Sequence, residues 1–391
     1  MALRIALSGF LALVVAMGIG RFAFTPQVPL MLAESQFSLT GAGIVAAFNY
    51  LGYLCGSYDA MRASRHVERR LWLGLWGAVV LTLLSAVVTG VWWHSIVRFA
   101  IGWASGWGLV MVAAWTNERL LSLGKPKLAA AVFAGPGAGI FLSGMLAVLF
   151  HYFSWNAQMA WLGYGVVALM LIAAISKNLP RNGELHRAGV IAQAPLAMTK
   201  NIKRLVLSYS LAGFGYILPA TFLSQMAAAR FPDSLFAQFV WPVFGASAVA
   251  GIAIGIMTRN VLTTQARLAI VLWLQAAGIA CAELVPGVSG LVLGAMLVGG
   301  GFLCVVQLAL QYGRELAPDY ARYMAGLLTT GYALGQLVGP MLSAISTSLT
   351  HRLEPALYIA ALALLVAGGL VWPVKDRAAQ ERTGSESLLN K

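Results

Sequence analysis

Read for apolar and polar positions alone, the chain is a series of long hydrophobic runs separated by short polar breaks. A helix of about 20 predominantly apolar residues crosses a hydrocarbon core of about 30 Å. By that measure twelve spans are expected, at residues 5–32, 40–61, 70–92, 94–117, 127–150, 155–176, 204–228, 236–257, 267–285, 288–312, 322–348 and 354–373. The longest break, 177–203, holds Asn178, Pro180, Asn182, Gly183 and Pro195, which is a linker composition. The fold class expected is an all-α membrane protein: twelve transmembrane helices in two pseudo-symmetric six-helix bundles. The bundles are 1–176 and 204–373, with a cytoplasmic linker at 177–203 and a cytoplasmic tail at 374–391.

Composition agrees with this. Of 391 residues, 60% are hydrophobic and 10% charged, against about 25% charged in soluble domains. Arg4 precedes a first apolar run that is too long for a cleavable signal peptide, so an uncleaved first span is expected. The net charge of +13 would suit nucleic acid, but its distribution points elsewhere. With both termini in the cytoplasm, 22 of the 26 Lys and Arg residues fall in cytoplasmic segments. The outer loops keep only Arg230 and Arg352, and Arg21 and Arg98 lie inside spans. That alternation follows the positive-inside rule, so no nucleic-acid partner is expected. Cys55, Cys281 and Cys304 all sit in apolar runs without metal spacing. Neither a metal nor a cofactor is expected.

The chain also repeats itself. Gly18-x-Gly20-Arg21 followed by Pro26 returns as Gly213-x-Gly215-Tyr216 followed by Pro219. Gly52-x3-Gly56 returns as Gly251-x3-Gly255, and Gly135-Pro136 as Gly339-Pro340. The offsets are 195, 199 and 204 residues, close to half the chain. Three pairs in one order across one linker indicate a six-plus-six duplication, an architecture of secondary transporters with a substrate site between the halves.

Charge inside a span is costly and marks function unless it snorkels to a headgroup. Arg21 stands beside broken backbone in the middle of span 1. Two cations at that depth with no carboxylate nearby call for an anionic ligand held by guanidinium forks. Arg21 is expected as the primary contact and Arg98 as a secondary one. The bland alternative is an arginine that caps backbone carbonyls; it weighs as much as the ligand role for Arg98 and less for Arg21. Tyr216 occupies the Arg21 position of the second half. Asn49, Gln27, Gln225, Gln307 and Gln336 add polar groups that orient either a ligand or a neighbouring helix. Phe24, Trp103, Trp107 and Tyr332 are candidate walls of the cavity, although aromatics at helical spacing also pack cores. Trp72, Trp92, Trp93 and Trp155 lie near span ends, where an interfacial belt is expected. Glu118, at the inner end of span 4, is the best proton-coupling candidate, with a surface charge as its rival reading. Gly135, Pro136, Gly339 and Pro340 serve close packing and bending.

This architecture resembles the major facilitator superfamily, and local motifs agree. Arg98-x3-Gly102 is similar to that family's Arg-x-x-x-Gly motif. Gly135-Pro136-Gly137-Ala138-Gly139 is similar to its antiporter motif, echoed by Gly335-Gln336-Leu337-Val338-Gly339-Pro340. Gly20-Arg21-Phe22-Ala23-Phe24-Thr25-Pro26 resembles the YbfB/YjiJ branch of bacterial transporters, nearest to its YjiJ-type members. The resemblance implies a multi-pass protein of the bacterial inner membrane and names no substrate. It also implies a cytoplasmic gate at Asp59, Arg62 and Arg65. There the chain departs from the family's loop motif: Asp59 follows Gly56 by three residues instead of four, and the second glycine is absent.

The function expected is a monomeric secondary carrier that moves a small organic anion or amphipathic metabolite by alternating access, through exchange or efflux. A proton or counter-substrate as coupling partner is left open. The rivals are a broad-specificity drug or toxin exporter with structural arginines, and a non-transporting sensor. An enzyme is not expected, because no paired carboxylates, His-Glu-x-x-His or serine–histidine pair falls within spans, and no Gly-x4-Gly-Lys-Ser/Thr loop supports ATP-driven transport.

Overall fold

The first apolar run forms one membrane-length helix, α1 (Ala2–Ala33), but not a regular one. Its centre, Val14–Arg21, is wound as a π-helix, and an α-helix resumes at Phe24–Ala33 with Pro29 inside it. The computed structural model describes residues 1–63, 66–181, 183 and 196–373. Arg65, residues 182 and 184–195 of the expected linker and the expected tail 374–391 lie outside the described residues.

Eleven further long helices follow: α2 (Leu39–Arg62), α3 (Val67–Leu84), α4 (Gly90–Ser122), α5 (Pro126–Tyr152), α6 (Ala157–Ile175), α7 (Lys200–Arg230), α8 (Val240–Met257), α9 (Thr264–Leu284), α10 (Val288–Leu316), α11 (Ala321–Thr350) and α12 (Glu354–Val371). Ten of the twelve are long and apolar enough to cross a membrane among the described residues. The other two are α3, which opens with Glu68, Arg69 and Arg70, and α11. Boundaries shift where caps decide them. Ser38, Asn156, Thr199 and Thr263 each accept a backbone N–H with the side chain and so start α2, α6, α7 and α9. The third span ends at Leu84, eight residues before its expected limit, because the chain turns there and restarts at Gly90 with φ +77°.

Within each six-helix bundle, glycines let backbones meet. A side chain at Gly52 would strike the Phe99 carbonyl, and one at Gly102 would strike Asn49, so α2 and α4 lie in direct backbone contact. The second bundle repeats this at Gly251 against Gly300 and Gly299 against Phe244, joining α8 to α10. With lipid outside and no hydrophobic drive between spans, such close approach supplies much of the helix association. Three of the helix pairs along which the bundles meet illustrate the contact. On α1 and α7, the Thr25 hydroxyl donates to the Ala220 carbonyl at 2.8 Å. On α2 and α11, the Thr40 and Thr347 hydroxyls lie 3.0 Å apart. On α5 and α8, Gly144 seats against Pro242, and Trp241 donates to the Ser143 hydroxyl at 3.4 Å.

The tryptophans near span ends differ in their surroundings. Trp92 and Trp93 are exposed, whereas Trp72 donates to the Pro180 carbonyl and Trp155 stacks on Phe150.

Candidate functional site

Arg21 ends the π-helical segment, and its side chain is carried into the seam between the bundles. It is 3% exposed. Its Nη2 donates to Gln336 Oε1 of α11 at 2.6 Å. The guanidinium lies 3.8 Å from the Tyr53 ring centre, 4.8 Å from that of Tyr50 and 5.1 Å from that of Phe22. Nε has no partner, and no carboxylate among the described residues pairs with this cation. Cation–π contact stabilises it by about 1–2 kcal/mol per good face when desolvated, less than the cost of burying a charge. The site therefore keeps an unmet demand for negative charge.

The second bundle supplies the opposite wall. Gln336 Nε2 donates to the Tyr216 hydroxyl at 2.6 Å. The Tyr216 ring stacks on Phe302 at 4.8 Å and on Tyr332 at 5.6 Å, and Tyr332 stacks on Tyr209 at 4.4 Å. The Tyr50 and Thr221 hydroxyls meet 3.1 Å apart beside them. Gln336 stands four residues before Pro340, which has no N–H to return to the Gln336 carbonyl. A charged fork, an amide and a ladder of aromatic faces thus converge from α1, α2, α7, α10 and α11.

Of the residues expected to bind substrate, the fold brings together Arg21, Tyr216, Tyr332 and Gln336. Arg98 goes elsewhere. It is fully buried within the first bundle, donating from Nη1 to the Gly20 carbonyl at 3.0 Å and from Nη2 to Ser85 at 3.3 Å, under the Trp161 ring. One of its donors thus holds the backbone next to Arg21, and the other holds a side chain at the end of α3. Phe24 lies beside Arg98 and Phe37. Asn49 donates to the Arg98 carbonyl at 3.0 Å and fastens α2 to α4. Trp103 packs edge-on between Phe99 and Trp107. Gln27 Nε2 and Gln225 Oε1 are buried without partners, and Gln307 is half-buried near Gly255.

At the far end of α2, Asp59 takes Arg70 Nε at 2.8 Å and Trp107 Nε1 at 2.7 Å. Trp107 therefore packs with the Asp59–Arg70 pair and not in the wall around Arg21. Arg62, expected beside Asp59, lies over Tyr58 at 4.4 Å and is exposed. Glu118 is half-buried. Its counterpart 197 residues on, Glu315, accepts from Thr264 at 2.7 Å and Gln311 at 3.0 Å, a helix-end role. Gly135 presses on the Phe10 carbonyl, Pro136 opens the long segment of α5, and Gly339 meets Ile217. Tyr50, Tyr53 and Phe302 were not singled out in the sequence. The three-residue spacing of the two tyrosines, one turn of α2, is the signal that could have found them.

Comparison with known proteins agrees with this architecture. Residues 13–372 match the sequence family described as "Uncharacterised MFS-type transporter YbfB". No curated protein matches the chain. Among solved structures, a mutant of the nucleoside transporter NupG is similar at TM-score 0.70 and 13% identity, over 95% of this chain and 96% of that one. A bacterial homologue of the human lysosomal transporter Spinster, inward-facing and occupied, is similar at TM-score 0.74 and 11% identity, over 95% of each chain. At such identities the likeness concerns the fold.

Proposed function

The chain belongs to the YbfB-type family of major facilitator superfamily transporters, and from that premise we propose that it carries a small organic anion with an apolar or aromatic body. As a member of a transporter family it is not read as an enzyme. The observation behind the substrate class is Arg21: a buried guanidinium, one face on Tyr53, whose only hydrogen-bond partner among the described residues is a neutral amide. In a low-dielectric seam, a carboxylate or phosphate group would gain far more from that fork than from water-exposed lysines. The stacked faces of Tyr332, Tyr216 and Phe302 suit the apolar remainder of such a molecule.

Transport would run by alternating access, the bundles rocking about a site at their seam. The Asp59–Arg70 pair would act as a latch at one end, and the Gly-Pro pairs of α5 and α11 as bending points. We place both termini in the cytoplasm on the basic-residue distribution; a bacterial inner membrane is proposed from the resemblance to the YbfB/YjiJ branch, and a monomer is proposed as the working state. Exchange or efflux, with a proton or counter-substrate, remains the proposed mode, and membership of the YjiJ-type subgroup the proposed affiliation. The aromatic ladder also favours a second reading, a broad exporter of amphipathic drugs.

A thermal-shift screen of the detergent-purified protein separates the two. Benzoate, hexanoate and inorganic phosphate are set against cationic amphiphiles. A ligand at 100 times its Kd stabilises the fold by about 2.7 kcal/mol. The anion reading expects a shift with an anion that is lost in Arg21→Ala. Shifts with cationic amphiphiles alone would replace it with the exporter reading.

A further inference from the structure

We propose that Gln336 is an internal stand-in for the substrate's anionic group: its amide oxygen occupies Arg21 in the empty carrier and is displaced when an anion binds. The inference rests on the reading of Arg21 as the anion contact and adds how the empty site is kept closed.

The geometry carries it. Gln336 Oε1 sits 2.6 Å from Arg21 Nη2, where a carboxylate oxygen would sit. The orientation of the amide is set from behind, because Nε2 donates to the Tyr216 hydroxyl at 2.6 Å and leaves only the oxygen to face the cation. A neutral amide brings a partial negative charge and a carboxylate a full one, so an arriving anion outcompetes it in a buried site. The exchange is local. Gln336 lies one turn before Pro340, where α11 lacks a backbone hydrogen bond and can bend.

The bond has a second consequence, because it joins the two bundles. Arg21 belongs to α1 and Gln336 to α11, and Thr25–Ala220 and Tyr50–Thr221 cross the same seam alongside. An unsatisfied buried cation would oppose closure of the empty seam. With the amide in place that penalty is reduced, and the carrier can close without cargo. Of the two proposed modes, this favours efflux over obligate exchange for a counter-anion. When substrate takes Arg21, the direct bond between the bundles is replaced by one that runs through the substrate.

Full-length protein with Cys55, Cys281 and Cys304 changed to alanine, and with Thr40→Cys and Thr347→Cys, reports on closure of the seam. Those two hydroxyls lie 3.0 Å apart across α2 and α11, so the cysteines cross-link only when the bundles meet there. In ligand-free protein, Gln336→Ala is expected to slow cross-linking about tenfold, the worth of one charge-assisted hydrogen bond. Gln336→Glu, which supplies a permanent carboxylate, should cross-link at least as fast as the parent and lose all thermal response to benzoate, hexanoate and phosphate. Parent-like cross-linking in Gln336→Ala would overturn the stand-in, as would a Gln336→Glu protein that still responds to an anion. Should Gln336→Ala not fold, the glutamate variant decides alone. If the parent responds to none of the three anions, the anion reading itself falls and takes the stand-in with it, an outcome distinct from an unaltered cross-linking rate.

Discussion

Arg21 and Gln336 stand 315 residues apart in the chain and 2.6 Å apart in the structure, joined by a hydrogen bond from guanidinium to amide oxygen across the seam of the two bundles. Arg98, a second buried arginine of the first bundle, turns its guanidinium inward and holds the carbonyl of Gly20, the residue next to Arg21. The two cations thus divide their labour: one faces the partner bundle, and the other secures the backbone that presents it.

Arg21→Lys should keep the charge and lose the function. Lysine cannot reproduce the planar fork on Gln336 and the flat stack over Tyr53 together. We expect anion affinity, read by titrated thermal shift, to fall by about 10- to 100-fold, the loss of one or two charge-assisted hydrogen bonds. Parent-like affinity would mean that net charge alone suffices at this site.

Arg98→Ala should act on stability first. The change leaves the Gly20 carbonyl and Ser85 hydroxyl without their donor, and opens a void beside Trp161. A loss of about 3 kcal/mol is expected from the unpaired groups and the cavity together. It should appear as a lowered Tm of the purified, ligand-free protein. An unchanged Tm would contradict a positioning role.

Glycine substitutions should separate by partner. Gly52→Ala drives a methyl group onto the Phe99 carbonyl and should force α2 away from α4, at about 1–3 kcal/mol or more. At Gly369 the same methyl group meets nothing within 4 Å, so Gly369→Ala should leave the Tm unchanged. Equal effects of the two would show that the α2–α4 contact yields more easily than its geometry suggests.

Asp59→Asn should shift conformation more than stability. The Asp59 and Arg70 side chains are 34% and 25% exposed, and an exposed pair contributes less than about 1 kcal/mol. The Tm should therefore barely move. In the cross-linking assay above, the closed fraction should change, since Asp59 holds both Arg70 of α3 and Trp107 of α4 at one end of the bundle. A large fall in Tm with no change in cross-linking would make the pair a plain structural brace.

The order of the helices and ten of the spans could be read from the sequence, because a spanning helix needs only a sufficient local run of apolar residues, whereas α3 and α11 fall short of that measure. The Arg21–Tyr216 correspondence came from the register of the paired motifs, and Gln336 bonds both residues in the structure. Helix ends were legible less well: Ser38, Asn156, Thr199 and Thr263 set them through single side-chain caps that hydropathy does not register. What no local pattern contains is the rotation of each helix about its axis and the choice of its neighbour. Those follow from where glycines let backbones touch, as at Gly52 on Phe99 and Gly251 on Gly300. That packing sent Arg98 and Asn49 into the wall of the first bundle, Trp107 to the Asp59 carboxylate, and Tyr50 and Tyr53 under Arg21. The sequence by itself determined that a charge lies buried in the membrane and that two halves enclose it. Only the tertiary structure decided what that charge touches, because contact between residues 315 positions apart depends on lateral packing, not on hydropathy along the chain.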